Sequence, residues 1–173
     1  MAEVRFPSKT KLIAGLITSD TSIYERAKHL LKRHFGETDC EFGPFDFNYT
    51  RYYEKEMGKG LKRYFLAFEK LIMPDRIPEI KIITNTIEKQ LSFGGRRQVN
   101  IDPGYLELSK LVLATTKDYN HRIYLGKGIY AEITLYFSKN SFRGWNWTYA
   151  DYRSPEYINV FNQIRRIYQK QIK

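Results

Sequence analysis

The stretch from Thr115 to Glu132, "TTKDYNHRIYLGKGIYAE", places Lys117, Asp118, His121, Arg122, Lys127 and Glu132 around two short apolar strings. Carboxylates and an imidazole at such short range are the side chains of acid–base catalysis and of hard-metal ligation. Arginine and lysine hold phosphate, and tyrosine rings stack on bases or sugars. Asp102, in "RQVNID", is the further carboxylate that an adjacent strand would bring to this region. Two sets of residues follow. Lys117, Arg122, Tyr124, Lys127 and Tyr130 form a ligand-binding set. Asp102, Asp118, His121 and Glu132 form a candidate catalytic set, with no metal assigned to them.

Whether these residues meet depends on the element that carries them. "HRIYL", "GKG" and "IYAEITLYF" read as a β-hairpin, because two alternating apolar strings flank a glycine turn. With Gly126 to Gly128 as the loop, Leu125 opposes Ile129, Tyr124 opposes Tyr130, Ile123 opposes Ala131 and Arg122 opposes Glu132. The period of two then sorts the side chains. Ile123, Leu125, Ile129, Ala131, Ile133, Leu135 and Phe137 are expected in the core, with Arg122, Tyr124, Tyr130, Glu132, Thr134 and Tyr136 on the other face. Arg122 and Glu132 then form a cross-strand pair worth about 0.2–1 kcal/mol. They either pin the hairpin or belong to a binding face. The two "GKG" triplets, Gly58–Gly60 and Gly126–Gly128, suit either plain turns or backbone nests that accept an anion.

The other elements set the scaffold. "KLIAGLITS" is a continuous apolar string and reads as a buried first strand. A helix follows, with Ser22 and Glu25 as a capping box, Ile23, Ala27, Leu30 and Leu31 as its apolar stripe, and Gly36 at its end. "CEFGPFDFNYT" and "KRYFLAFEKLI" read as strands, with "RYYEKEMGKG" as a loop or short helix between them. Pro78, Ile80, Ile83, Ile87 and Leu91 mark a second helix. "RQVNID" is a short strand with Asn100 and Asp102 on one face, and "DPGY" reads as a turn. Residues 106–116, "LELSKLVLATT", suit helix by composition and a buried strand by their apolar run; helix is the reading taken. A last helix opens at Ser154 and Pro155, with Ile158, Phe161, Ile164 and Tyr168 as its buried stripe. The order predicts an α+β domain, a ferredoxin-like split βαβ antiparallel sheet with helices on one face, extended by a hairpin and a C-terminal helix. Residues 1–173 form a single domain, with residues 1–10 expected as a flexible arm.

Composition narrows the partners. Lys and Arg number 29 against 19 Asp and Glu, a formal charge of +10. Such an excess draws phosphate-bearing molecules. The single cysteine, Cys40, excludes an internal disulfide and fits a reducing cytoplasm. No apolar run approaches the roughly 20 residues of a membrane helix, so no membrane partner is expected. His29 and His34 stand on different faces of the first helix and form no zinc pair. The phosphate-loop consensus, the hydrolase nucleophile elbow and the zinc-protease helix are all absent. "TTKD" matches a guanine-reading motif only in part, because Asp118 follows Lys117 directly. Trp145, Trp147, Tyr149 and Tyr152 read as a lid over the core or as a stacking and partner-binding surface.

Three long strings carry a family resemblance: "PFDFNYTRYYEKEMGKGLKRYFLAFEKLI", "VNIDPGYLELSKLVLATTKDYNHRIYLGKGIYAEITL" and "WTYADYRS". From Leu12 to about Tyr168 the chain resembles an uncharacterised prokaryotic family, domain of unknown function 4416. Members sometimes carry a GTP-binding label, and the resemblance transfers no catalytic residue. The function expected from the residues is binding of RNA or a nucleotide on a basic, tyrosine-lined sheet face. The alternatives are a small enzyme acting on a phosphorylated metabolite or nucleotide, and a protein-interaction scaffold. Cofactor and oligomeric state are left open by the sequence.

Overall fold

Every residue of β1 (Thr10–Thr18) is buried in the computed structural model, which describes residues 1–173. This strand lies inside the sheet with apolar clusters on both of its faces, which explains a string without polar alternation. Then follow α1 (Thr21–Phe35), β2 (Thr38–Asp46), the single-turn α2 (Glu54–Met57), β3 (Lys62–Ile72) and α3 (Ile77–Gln90). The chain continues through β4 (Asn100–Leu106), β5 (Lys110–Thr115), β6 (Arg122–Gly126), β7 (Ile129–Ser138), β8 (Ser141–Gly144) and α4 (Pro155–Gln171). All strand pairs are antiparallel, in the order β2-β3-β1-β4-β5-β7-β6, with β8 also on β7. The first four strands are the expected split βαβ arrangement, and the rest extend the sheet from β4.

Helices cover both faces rather than one. Leu12, Ala14, Leu16, Leu66 and Ile101 pack with α1 and α3, whereas Ile13, Phe65, Ala67, Leu113 and Leu135 pack with α4. Tyr157, Phe161, Ile164 and Tyr168 of α4 supply an apolar face that the opposite side of the sheet needs. Two local expectations also change. The cap of α1 is Asp20, whose carboxylate accepts from the Ser22 N–H at 2.7 Å, so the helix starts before the anticipated capping box. Residues 110–115 are strand β5, not helix: Leu111 to Ala114 are buried between β4 and β7, and burial on both faces overrides the helix preference of Leu and Ala.

The "DPGY" segment is not a turn. β4 runs straight through Pro103 and Gly104, paired along its whole length with β1. The Glu107 N–H donates to the Lys110 carbonyl at 2.9 Å, and counting back by twos makes 105/112 a hydrogen-bonded rung toward β5 and 103/114 the next position in line for one. Pro103 therefore directs its missing N–H at β5 and leaves the β1 ladder intact. The β4–β5 register ends at Gly104 opposite Leu113. Beyond it, α3 takes over the free edge of β4: the Ile101 N–H donates to Glu88 Oε1 at 2.6 Å, and Lys81 Nζ donates to the Ile101 carbonyl at 2.9 Å.

In the β6–β7 hairpin, Arg122 opposes Glu132, Ile123 opposes Ala131 and Tyr124 opposes Tyr130, as the spacing predicts. Lys127 and Gly128 both have positive φ, 57° and 74°, the two central residues of a type I′ turn. A bulge at Leu125 brings Gly126 opposite Ile129. The face assignment changes. Ile123 is 65% exposed and Ile133 38%, while Glu132 and Thr134 are buried. β6 is an edge strand whose apolar side no helix covers, whereas the chain around Tyr149–Asp151 comes over the Glu132 side.

Close approach at the last β4–β5 rung requires glycine. A Cβ on Gly104 would lie 2.3 Å from the Val112 carbonyl oxygen and 2.8 Å from Leu113 Cδ2. Gly104→Ala is expected to destabilise the fold by about 2–3 kcal/mol in urea unfolding, the upper part of the range of core overpacking. A variant as stable as the parent would contradict this packing.

Candidate functional site

Where β4 and β5 part, a cleft of about 800 Å³ opens, within the usual range of small-molecule sites. Its floor is the α4 side of the sheet, with Arg63, Asp102, Leu113 and Glu132 from four strands. Lys81, Asn85 and Glu88 of α3 form one side. The segment joining β2 to β3 contributes Tyr49, Tyr52, Tyr53 and Glu56, and the segment before α4 contributes Tyr149 to Tyr152. The aromatic walls come from two loops, and the charged groups come mostly from strands and α3.

The closed end is built around Arg63, which is 3% exposed. Its Nη2 donates to Asp151 at 2.9 Å, and its Nη1 lies 3.5 Å from Asp102 Oδ2. The Phe47, Phe65 and Tyr152 rings lie within 5.1–5.7 Å of the guanidinium carbon. Gly15 provides the space: a Cβ there would come within 3.1 Å of both Arg63 Nη1 and the Tyr152 hydroxyl. Burial disfavours the charge on Arg63, but the carboxylates of Asp151 and Asp102 more than offset this and keep it protonated. Burial also drives the Tyr152 hydroxyl well above its ordinary value. Arg63 Nε and the Tyr152 hydroxyl are buried without a hydrogen-bond partner.

Asp102 is the more open of the carboxylates around Arg63. Its side chain is 27% exposed, its Oδ2 accepts from Asn100 Nδ2 at 2.8 Å, and Lys81 Nζ stands 3.9 Å from Oδ1. Arg97 bridges the next layer, donating to Asn100 Oδ1 at 2.9 Å and through two nitrogens to Glu56 at 2.7 and 3.0 Å. This last pair fastens α2 over the cleft. Six cations and five carboxylates line the site. Arg63, Lys81, Arg97 and Arg122 each have an acidic partner; Lys89 and Lys117, both exposed, have none. The uncompensated positive charge thus sits at the mouth.

Of the two candidate sets read from the sequence, Asp102, Lys117, Arg122 and Glu132 line this cleft, as do Tyr149 and Tyr152 of the aromatic segment. Glu132 Oε2 accepts from Arg122 Nε at 3.0 Å and meets His121 Nε2 at 2.9 Å. Arg122 also donates to the Lys117 carbonyl at 3.0 Å, and its charge is reinforced because Glu132 and Tyr149 outweigh the effect of its burial. His121 stacks on Trp147 at 5.3 Å, outside the lining. Asp118 is exposed and bonded to none of the other three, so the proposed catalytic four do not converge. No group of three or more His, Cys, Asp and Glu side chains is placed to hold a metal ion. Tyr124 and Tyr130 pair with each other at 5.2 Å, and Lys127 pairs with Glu79 at 2.8 Å; all three lie beyond the cleft, toward the hairpin tip. Trp145 and Trp147 stack at 5.1 Å, and the Trp147 indole donates to the Ile133 carbonyl on the open edge of β7.

Arg63, Lys81, Glu88, Arg97 and Asn100 were not anticipated. One signal exists for two of them: Lys81 and Glu88 are seven apart on α3 and adjoin Ile80 and Ile87, so they share the inward side. Burial raises the Glu88 carboxyl, although Lys81, the Ile101 N–H and Arg97 oppose this. A carboxyl raised on folding contributes stability below its unfolded pKa and loses it as pH rises through the folded value. The stability of Glu88→Gln relative to the parent is therefore expected to improve from pH 4 to pH 7 in urea titrations. A difference that stays flat or reverses would contradict the assignment.

The comparisons with known proteins bear on this arrangement only through the family. Neither a curated protein nor a solved structure matches the chain. A family profile described as Domain of unknown function (DUF4416) matches residues 8–168, which include every strand and nearly all of α4. The chain belongs to the DUF4416 family.

Proposed function

We infer that the cleft binds a small phosphate-bearing molecule of nucleotide size. The observation that carries this reading is the placement of Lys89 and Lys117, without acidic partners, at the mouth of a cleft walled by tyrosines. Lys117 Nζ lies 3.3 Å from the Tyr52 hydroxyl and 4.9 Å from its ring centroid, so an ammonium and an aromatic face stand side by side. A phosphate held by the lysines leaves a ring or sugar within reach of Tyr49, Tyr52, Tyr53 and Tyr149. The net charge of +10 supplies the longer-range attraction. Concavity favours a single nucleotide over an RNA strand, which tracks an extended groove. The single free thiol, Cys40, its pKa pushed up to about 12 chiefly by burial, suits a reducing cytoplasm.

Isothermal titration of the protein with the four ribonucleoside triphosphates, their monophosphates and inorganic pyrophosphate tests the reading, with a short single-stranded RNA as comparison. At least one mononucleotide is expected to bind, with affinity that falls as salt is added. Lys117→Ala is expected to weaken it by about tenfold or more, the range for losing a hydrogen bond to a charged group. Absence of binding by every phosphate-bearing compound would overturn the proposal, and tight binding of RNA alone would replace the nucleotide with a strand.

A further inference from the structure

The cleft is electrically divided, and the division identifies what its inner end is fitted to hold. At the mouth, Lys89 and Lys117 carry positive charge without partners. Inside, Arg63, Lys81 and Arg97 stand among Glu56, Glu88, Asp102 and Asp151, three positive groups against four negative. A second phosphate gains nothing there. A cationic ligand group is also poorly suited, because Arg63 and Lys81 already flank Asp102, the partly open carboxylate among them. Neutral O–H donors are the remaining complement.

Asp102 is oriented for that task. Asn100 fixes Oδ2 by a 2.8 Å hydrogen bond, and Arg97 fixes Asn100 in turn. Oδ1 receives no hydrogen bond, its nearest cation being Lys81 at 3.9 Å. Deeper still lies the Tyr152 hydroxyl, 2% exposed and unpartnered, beside Arg63 with its unpartnered Nε. A hydroxyl donates, so a hydroxylated ligand can give a hydrogen bond to the carboxylate oxygen that has none. Asp102 and Lys117 line the same cleft, the carboxylate inside and the exposed ammonium at its mouth, so one ligand can carry both a hydroxylated and a phosphorylated end.

We propose that Asp102 is a specificity-determining residue that accepts hydrogen bonds from the vicinal hydroxyls of a phosphorylated sugar, with Asn100 and Arg97 as its positioning residues. This rests on the phosphate-binding reading of the same cleft. The ligand class is then a sugar phosphate or a ribonucleotide rather than a deoxynucleotide or a bare polyphosphate.

The test compares ribose 5-phosphate, 2-deoxyribose 5-phosphate and inorganic pyrophosphate, each titrated into the full chain and followed by amide chemical shifts. Ribose 5-phosphate is expected to bind at least tenfold more tightly than its deoxy counterpart. Asp102→Asn is expected to remove most of that preference. The ligand-side comparison needs no variant, so it stands even if Asp102→Asn fails to fold. Equal affinity for the two sugars, with pyrophosphate still bound, would overturn the proposal and leave phosphate binding intact. Failure of all three, and of the nucleotides, would overturn both.

Discussion

A withheld hydrogen-bond donor shapes the functional side of this protein. Pro103 has no N–H to give to β5, and the ladder between β4 and β5 stops one rung earlier, at Gly104. A strand edge cannot be left buried and unpaired, because each orphaned peptide group costs about 1–3 kcal/mol. Lys81 and Glu88 of α3 meet that demand by bonding both polar atoms of Ile101. Two side chains thus substitute for a strand, and the space that strand would occupy becomes the cleft.

The same substitution explains the density of charge. Lys81 and Glu88 are 6% and 8% exposed, so each needs a further partner. Lys81 approaches Asp102, Asp102 lies beside Arg63, and Arg63 bonds Asp151 from the loop before α4. Glu88 approaches Arg97, which bonds Glu56 of α2. The network therefore ties α3, strands β3 and β4 and both covering loops to one another. Neutralisation is nearly complete inside and incomplete at the mouth, which gives the site its direction.

Much of the scaffold was legible because it follows from local chemistry. The glycine–lysine–glycine turn sets most of the hairpin register, and Ser154 with Pro155 sets the start of α4. Asp102, Lys117, Arg122 and Glu132 could be found because they have chemically active types on β4, on the β6–β7 hairpin that extends the sheet from it, and in the loop leading into that hairpin. Tyr124, Tyr130 and Lys127 have equally suggestive types, but the hairpin carries them past the cleft. Arg63, Lys81 and Glu88 were hidden because a charge on a strand or helix reads as solvent-facing unless its distant partner is known. Residues 110–115 were misjudged for a related reason: helix preference is local, whereas burial between β4 and β7 depends on contacts far along the chain.

The central claim is that the side chain of Glu88 replaces a strand at Ile101, and amide hydrogen exchange read residue by residue by NMR tests it most directly. In the parent protein the Ile101 amide is predicted to be protected to the same degree as the ladder amide of Val112. In Glu88→Ala, Ile101 is predicted to exchange faster by on the order of tenfold or more while Val112 keeps its protection, the pattern of a local opening. An Ile101 amide that exchanges at the same rate relative to Val112 in both proteins would contradict the account.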